Sequence, residues 1–229
     1  MTGVDGSEPK RYGRGLFLAT VAGGLTSLAW GRPVWSRVSS ALAPAENLIP
    51  LTPKGWRIYT VASTMPTFDP KTWRLHVGGL VENEMSLDYE QVRSLPRAHQ
   101  VSDFHCVTGW SVHGVRWQGV RIADLLAQVK PQPQAGALQF ISAEEPYFDY
   151  LTMEQALLHD VMLAYSMDGK PVRREHGAPL RLVIPEMYGY KGVKWVKQIN
   201  LVEHASDGYW ELLGYDRDAW VGRSNGYHA

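Results

Sequence analysis

The chain has 229 residues, 45% of them hydrophobic and 20% charged, which suits one sizeable globular core with or without a tail. Basic and acidic side chains balance at 23 each, so there is no overall electrostatic footprint for nucleic acid, and any anion site must be local. A single cysteine excludes an internal disulfide framework and leaves the redox compartment open, while nine tryptophans and eleven tyrosines lean towards an aromatic-lined pocket.

Residues 1–14 form a polar tail with Lys10, Arg11 and Arg14 near its end, and Gly15 to Gly31 carries no charged side chain. A basic flank before an apolar run predicts an export signal or a short membrane anchor over 15–31. The run is shorter than the roughly 20 residues of an ordinary spanning helix. Its glycines and threonines make it only mildly apolar, as in signals of the folded-protein export route, with Lys10-Arg11 where that route uses an arginine pair. Ala41-Leu42-Ala43 is a candidate cleavage site, but Pro44 follows directly, so cleavage and retention both stay open, as does a buried N-terminal helix. The expected location is extracytoplasmic, exported or membrane-anchored, with cytoplasmic as the alternative. Residues 32–55, with spaced prolines from Ala43 to Pro53, read as a linker, and a folded domain is expected over 56–229.

Within that domain Arg57-Ile58-Tyr59-Thr60-Val61 and Trp73-Arg74-Leu75-His76-Val77 are β-rich and alternate, predicting strands. Ser86-Leu87-Asp88 predicts the opening of a short helix that Pro96 closes. A strand is expected to run into Cys106, followed by a helix over Ile122 to Val129 that Pro131 and Pro133 end. A strand around Leu138 to Ser142 precedes an aromatic loop through Tyr147, Phe148 and Tyr150, and then a helix begins at Thr152. Gln155 three residues later gives that start the form of a capping box. Val161 to Met167 predicts a strand turned by Asp168-Gly169 into Lys170 and Pro171, and further strands are expected over Pro179 to Pro185 and Val193 to Val202. Many strands, few short helices and no βαβ alternation predict an α+β domain of β-rich, mixed character.

Two stretches carry chemistry. The first, Val101 to Leu126, holds the lone cysteine. A thiolate is a soft metal ligand, and an isolated cysteine is otherwise a small buried hydrophobe. His99, His105 and His113 do not have the spacing of a tetrahedral zinc site, and His105 beside Cys106 on a strand would face the other way. The second stretch, Arg173 to Trp195, gathers Arg173, Arg174, His176, Arg181, Lys191 and Lys194 around Gly177, Gly189 and Gly192. Glycines admit backbone amides close to an anion and the cations balance its charge, so a phosphate-bearing ligand fits, as does an ordinary solvated basic face. Arg181 is the informative member, because an arginine inside an apolar strand needs a partner if it is buried. There is no GxGxxG, no GxxxxGK[ST], no GxSxG and no HExxH, which counts against nicotinamide enzymes, kinases and common hydrolases.

Asp103-Phe104-His105-Cys106-Val107-Thr108-Gly109-Trp110-Ser111, His176-Gly177-Ala178-Pro179-Leu180-Arg181 and Gly192-Val193-Lys194-Trp195-Val196, in that order, resemble the molybdopterin-binding domain of the sulfite oxidase family. The likeness runs from about Trp56 to the C-terminus. It is nearest to small bacterial members and more distant to the catalytic subunit of protein-methionine-sulfoxide reductase. The resemblance implies a sulfite-oxidase-type fold and an oxidoreductase that uses molybdenum held by molybdopterin. Cys106 would be the single protein thiolate on the metal and the catalytic residue, with His105 and Thr108 near it. His176, Arg181, Lys191, Gly192, Val193 and Lys194 would hold the pterin and its phosphate, with Tyr59 on the pocket wall and Asp149 and Tyr150 as weaker candidates. Sulfite-oxidising members follow the cysteine with a glycine-asparagine-arginine run, whereas Val107-Thr108-Gly109 stands here; Arg116 or Arg121 could restore that charge. The resemblance therefore implies oxygen-atom transfer, in the direction of reducing a small-molecule or protein-bound S- or N-oxide. Electrons would come from a separate partner such as a membrane haem protein, and nucleic acid has no part. Sulfite oxidation and a non-catalytic pterin-binding or electron-relay module are the alternatives.

Overall fold

Leu75 and Val77 are fully buried on either side of exposed His76, the two-residue period that makes β1 (Leu75–Gly79) a strand. This computed structural model describes residues 55–223. The polar tail, the apolar segment 15–31 and the linker up to residue 54 lie outside the described residues, as does the end of the chain beyond residue 223. Among the described residues no helix is long and apolar enough to cross a membrane.

The strands form two five-stranded sheets. In the first, β2 (Met85–Leu87), β1, β10 (Val196–Val202), β5 (Ala137–Ser142) and β6 (Phe148–Thr152) lie in that order, and only the β1–β10 pairing is parallel. In the second, β3 (Ala98–Cys106), β4 (Trp110–Arg121), β7 (Met162–Met167) and β8 (Lys170–Pro171) run antiparallel, with β9 (Arg181–Val183) also on β7. The main core gathers β1, β5 and β10 side chains with those of α2 (Ile122–Val129), which buries Ile122, Leu125, Leu126 and Val129 at helical spacing. Each such side chain contributes roughly 1.5–3 kcal/mol by leaving water.

Two of the three α-helix starts among the described residues obey capping chemistry, whereas α2 follows Arg121 without a side-chain cap. Asp88 caps α1 (Tyr89–Ser94): its carboxylate accepts from Gln91 N at 2.8 Å while Gln91 Oε1 accepts from Asp88 N at 2.8 Å. Ser86 and Leu87 belong to β2 instead, because Leu87 packs opposite Leu75. Thr152 and Gln155 form the expected reciprocal box on α3 (Met153–Ala156).

Three further expectations are corrected, and one strand is additional to those expected. Arg57 to Val61 is irregular chain, because its backbone groups are taken by side chains: Glu144 Oε1 accepts from Val61 N at 2.9 Å, and Lys194 Nζ donates to Tyr59 O at 2.5 Å. The aromatic stretch from Phe148 is the edge strand β6, in which Asp149 pairs with Phe140 and is itself buried. β4 was not foreseen at all. Gly114 and Gly119 interrupt its alternation, yet Gly119 is where β7 comes closest, since an added Cβ would sit 1.9 Å from Leu163 O. The strand expected from Val193 begins only at Val196, after Trp195 at φ 51°.

Candidate functional site

Cys106 ends β3 and Trp110 begins β4, so the thiol stands at the tip of a long hairpin. Gly109 turns the tip in the left-handed region at φ 85°, and its N–H donates to Cys106 O at 3.0 Å. Cys106 is half-buried, with Sγ 3.2 Å from Thr108 Oγ1. His105, one residue earlier, does not line the cavity beside Cys106; its Nδ1 is paired with Ser111 Oγ at 2.8 Å. Strand alternation accounts for the difference between the neighbours.

Cys106 faces a cavity of about 350 Å³. Tyr59, Thr108, His176, Arg181, Gly192 and Lys194 line it as well. Its wall is largely aromatic: Trp56, Trp110, Tyr190, Trp210 and Tyr215 all contribute, which is where the tryptophan-rich and tyrosine-rich composition is used. Six pieces of chain converge there: the strand-free segment after Gly55, the β3–β4 tip, the β5–β6 connection with Glu144 and Tyr147, the 3-10 helix Arg174–His176, β9 with the glycine loop that follows it, and Trp210 and Tyr215 on either side of the 3-10 helix Glu211–Leu213.

Arg181 sets the electrostatics. It is 3% exposed, and its guanidinium carbon lies 5.2 Å from the Trp117 ring, 5.4 Å from Phe104 and 5.7 Å from Trp56. Among the described residues its one hydrogen bond is long, Nη1 to His176 O at 3.3 Å, and Nε has no partner. No ion pair among the described residues includes it. Burial lowers its pKa to about 10, which still leaves it charged at neutral pH. His176 is pushed down to about 4 by burial and then by Arg181 and Arg173, so it meets the cavity as a neutral imidazole. Lys194 is lowered to about 8, again by burial first and Arg181 second. One cavity of a chain without net charge thus gathers Arg57, Arg181 and Lys194 against Glu144 and Glu175, and Glu175 is already paired with Arg173. Glu144, buried on the same cavity, accepts from Val61 N and Ala62 N through Oε1 and acts on Lys194 from a distance, raising its pKa against burial and Arg181, without an ion pair to either cation.

Local structure explains why these groups meet. Gly177 sits at φ 106°, and a Cβ there would lie 2.8 Å from Lys194 Cβ, so only glycine lets His176 and Lys194 pack together. Ser142 Oγ donates to Lys194 O at 2.8 Å and fixes the lysine's backbone against β5. At Gly192 an added Cβ would come to 3.0 Å from Leu182 O, so the loop lies tight against the β9 backbone, with Arg181 Nη2 in ordinary contact at 3.7 Å.

Of the residues singled out in the sequence, Tyr59, Cys106, Thr108, His176, Arg181, Gly192 and Lys194 come together on the cavity. Lys191 does not: it is 1% exposed, and its ammonium is held by Asp149 at 2.5 Å and Glu211 at 2.8 Å, so its charge is spent inside the protein. Val193 is fully buried in the main core. Asp149 and Tyr150 also lie off the cavity, and neither Arg116, beside Asp168, nor Arg121, on Gln100, reaches it. Arg57, Glu144, Tyr190, Trp210 and Tyr215 line the site without having been picked out. The aromatic pair Tyr209-Trp210 was a usable signal for Trp210; nothing local marks Glu144.

A protein-family model, the oxidoreductase molybdopterin binding domain, matches residues 62–210. The oxidoreductase YuiH of Bacillus subtilis is 38% identical over 159 residues, 68% of this chain and 80% of that protein. The protein-methionine-sulfoxide reductase catalytic subunit MsrP of Gluconobacter oxydans is 30% identical over 181 residues, 72% of this chain and 58% of that one. Among solved structures, the sulfane dehydrogenase SoxCD of Paracoccus pantotrophus aligns with a TM-score of 0.59 and 27% identity, over 62% of this chain and 41% of its own. Against the last two, the match spans less than two thirds of the relative's length.

Proposed function

The chain belongs to the oxidoreductase molybdopterin-binding domain family, and on that premise we propose that it reduces an S- or N-oxide, removing the oxygen atom with two electrons from a separate donor. Arg181 carries the proposal: a buried, charged guanidinium without a carboxylate, facing the cavity that the Cys106 thiol faces from the hairpin tip. A thiolate for a soft metal and an unpaired cation for a phosphate are the two donors that a metal-bearing phosphorylated pterin needs, so the residues fit the family's cofactor.

When bound, the molybdenum centre supplies the two-electron redox chemistry by which the oxide loses its oxygen as water. The protein's part is to hold, orient and shield. Cys106 would ligate the metal. Arg181 and Lys194 would balance the phosphate, and neutral His176 would offer a ring nitrogen to the pterin without adding a third charge. Thr108, whose hydroxyl lies 3.2 Å from the thiol, would tune it by hydrogen bonding. The aromatic wall of Tyr59, Trp110 and Trp210 would exclude water and receive the uncharged groups of an oxide.

The direction of reaction is supported by the tip sequence Val107-Thr108-Gly109, which places no cation beside Cys106, and by Arg116 and Arg121 lying off the cavity. The names of two relatives, a methionine-sulfoxide reductase subunit and a sulfane dehydrogenase, agree on redox at sulfur. One observation favours a second reading, sulfite oxidation: Arg57 lines the cavity and could meet an anion. The electron donor would be a membrane haem protein, and the site of action extracytoplasmic, with residues 15–31 as export signal or anchor and 56–229 as the working domain.

The test is turnover by cofactor-loaded protein, assayed for reduction of methionine sulfoxide and dimethyl sulfoxide with a reduced viologen and for oxidation of sulfite. Oxide reduction lost in Cys106→Ser is the expected result. Sulfite oxidation without oxide reduction would overturn the direction and promote Arg57 to substrate ligand.

A further inference from the structure

Lys191, Asp149 and Glu211 form a second charged constellation, wholly inside the protein. Their side chains are 1%, 2% and 0% exposed, and both carboxylates converge on the one ammonium. Each brings one oxygen to it, and each leaves the other, Asp149 Oδ2 and Glu211 Oε2, buried without a hydrogen-bond partner. Two ionised carboxylates on one ammonium would also leave a net negative charge buried, the arrangement that burial penalises most. A single proton on the carboxylate pair removes the net charge and turns one of the orphaned oxygens into a hydroxyl.

The triad also joins three pieces of chain that build the cavity. Asp149 is on β6, Lys191 is in the glycine loop beside Gly192, and Glu211 opens the 3-10 turn between Trp210 and Tyr215, both of which line the cavity. The chain passes tightly over the triad at Gly208, where an added Cβ would lie 2.6 Å from Glu211 Oε2 and 2.7 Å from Asp149 Oδ1. The rest of that turn exposes Leu212 and Leu213, so the apolar core does not anchor them.

We infer that Asp149, held with Glu211 on the one ammonium of Lys191, keeps a proton in the folded protein, that the three are positioning residues, and that this proton fixes the Trp210–Tyr215 wall of the cavity. The groups facing Asp149 are consistent with it: Lys191 from the glycine loop, Glu211 from the 3-10 turn, Tyr147 from the β5–β6 connection with Glu144 behind it, and the N–H of Tyr150 on its own strand. Burial dominates over these, and the Asp149 pKa is raised to about 7. The role of the wall in substrate binding rests on the oxide-reductase assignment; the stored proton does not.

An acid whose pKa is raised on folding contributes stability that is fully present below its unfolded value and is lost as pH rises through its folded value. Apoprotein stability should therefore fall between about pH 4 and about pH 7 and then level off. Asp149→Asn and Glu211→Gln, each of which leaves one carboxylate on Lys191 or one amide in its place, should fold and should lack that decline. Amide hydrogen exchange supplies the positional readout. Corrected for intrinsic rates, protection over residues 208–215 should fall about ten-fold per pH unit on approaching neutrality in the wild type, the signature of one linked proton, and should be flat in both variants. A decline that persists in both variants, or protection at 208–215 that is equally pH-independent in all three proteins, would overturn the inference. Neither measurement involves turnover, so failure of the oxide assay would leave the triad's proton standing, and loss of the proton linkage would leave the reductase reading standing.

Discussion

Arg181 and Lys191 are both almost wholly buried cations, ten positions apart in one basic stretch, and the fold treats them in opposite ways. Among the described residues Lys191 has two carboxylates and Arg181 has none. A buried charge with its counter-charges built in is structure, because it answers its own desolvation. A buried charge surrounded by Trp56, Phe104 and Trp117, with an orphaned Nε on an open cavity, is a site that waits for charge from outside. In the sequence the two look alike; only the partners separate them.

The largest expected effect is on the partnered cation. Lys191→Met strands two carboxylates in the interior, and the apoprotein should lose about 3–5 kcal/mol in denaturant unfolding. A loss under about 1 kcal/mol would mean that the carboxylates find protons or water at little cost, and the distinction would collapse. Arg181→Met should do the reverse. Removing an uncompensated charge from an aromatic box leaves apoprotein stability equal or higher, while molybdenum and pterin retained per chain should fall about ten- to hundred-fold, the value of a hydrogen bond to a charged group. If Arg181→Met unfolds the protein as Lys191→Met does, Arg181 is structural after all.

Much of the fold follows from side-chain order. The capping box at Thr152, the apolar spacing of Ile122 to Val129 and the β-rich runs into β1 and β7 act within a few residues, and so can be read from them. What escaped depends on distant partners. Arg57 to Val61 has the composition of a strand, but its amides go to Glu144, more than 80 positions away. Glycines in β4 look like breakers until β7 is seen to need the space at Gly119. The same holds at the site. Cys106, His176, Arg181 and Lys194 sit in motifs, whereas the diversion of Lys191 from ligand to ion triad was settled by Asp149 and Glu211, neither of them marked by its neighbours.

Lys194 sharpens the comparison from between the two extremes. It is half-buried, its ammonium donates to Tyr59 O, and burial and Arg181 hold its pKa near 8. An anion on the cavity would restore the proton, so binding and proton uptake are linked. Sulfate, a dianion throughout this range, titrated into the apoprotein, should bind with unchanged affinity just below about pH 8 and lose up to about ten-fold per pH unit above it. Lys194→Gln should bind less tightly but without that decline, because Arg181 stays charged through the same range. The smallest effect belongs to the group that sequence placed beside the thiol and the fold turned away. His105→Gln keeps a partner for Ser111, and it should leave cofactor content and sulfate affinity within about two-fold of wild type, since its ring does not line the cavity. Loss of molybdenum in that variant alone would show that His105 reaches the metal through the backbone of Cys106, a route that facing and distance do not suggest.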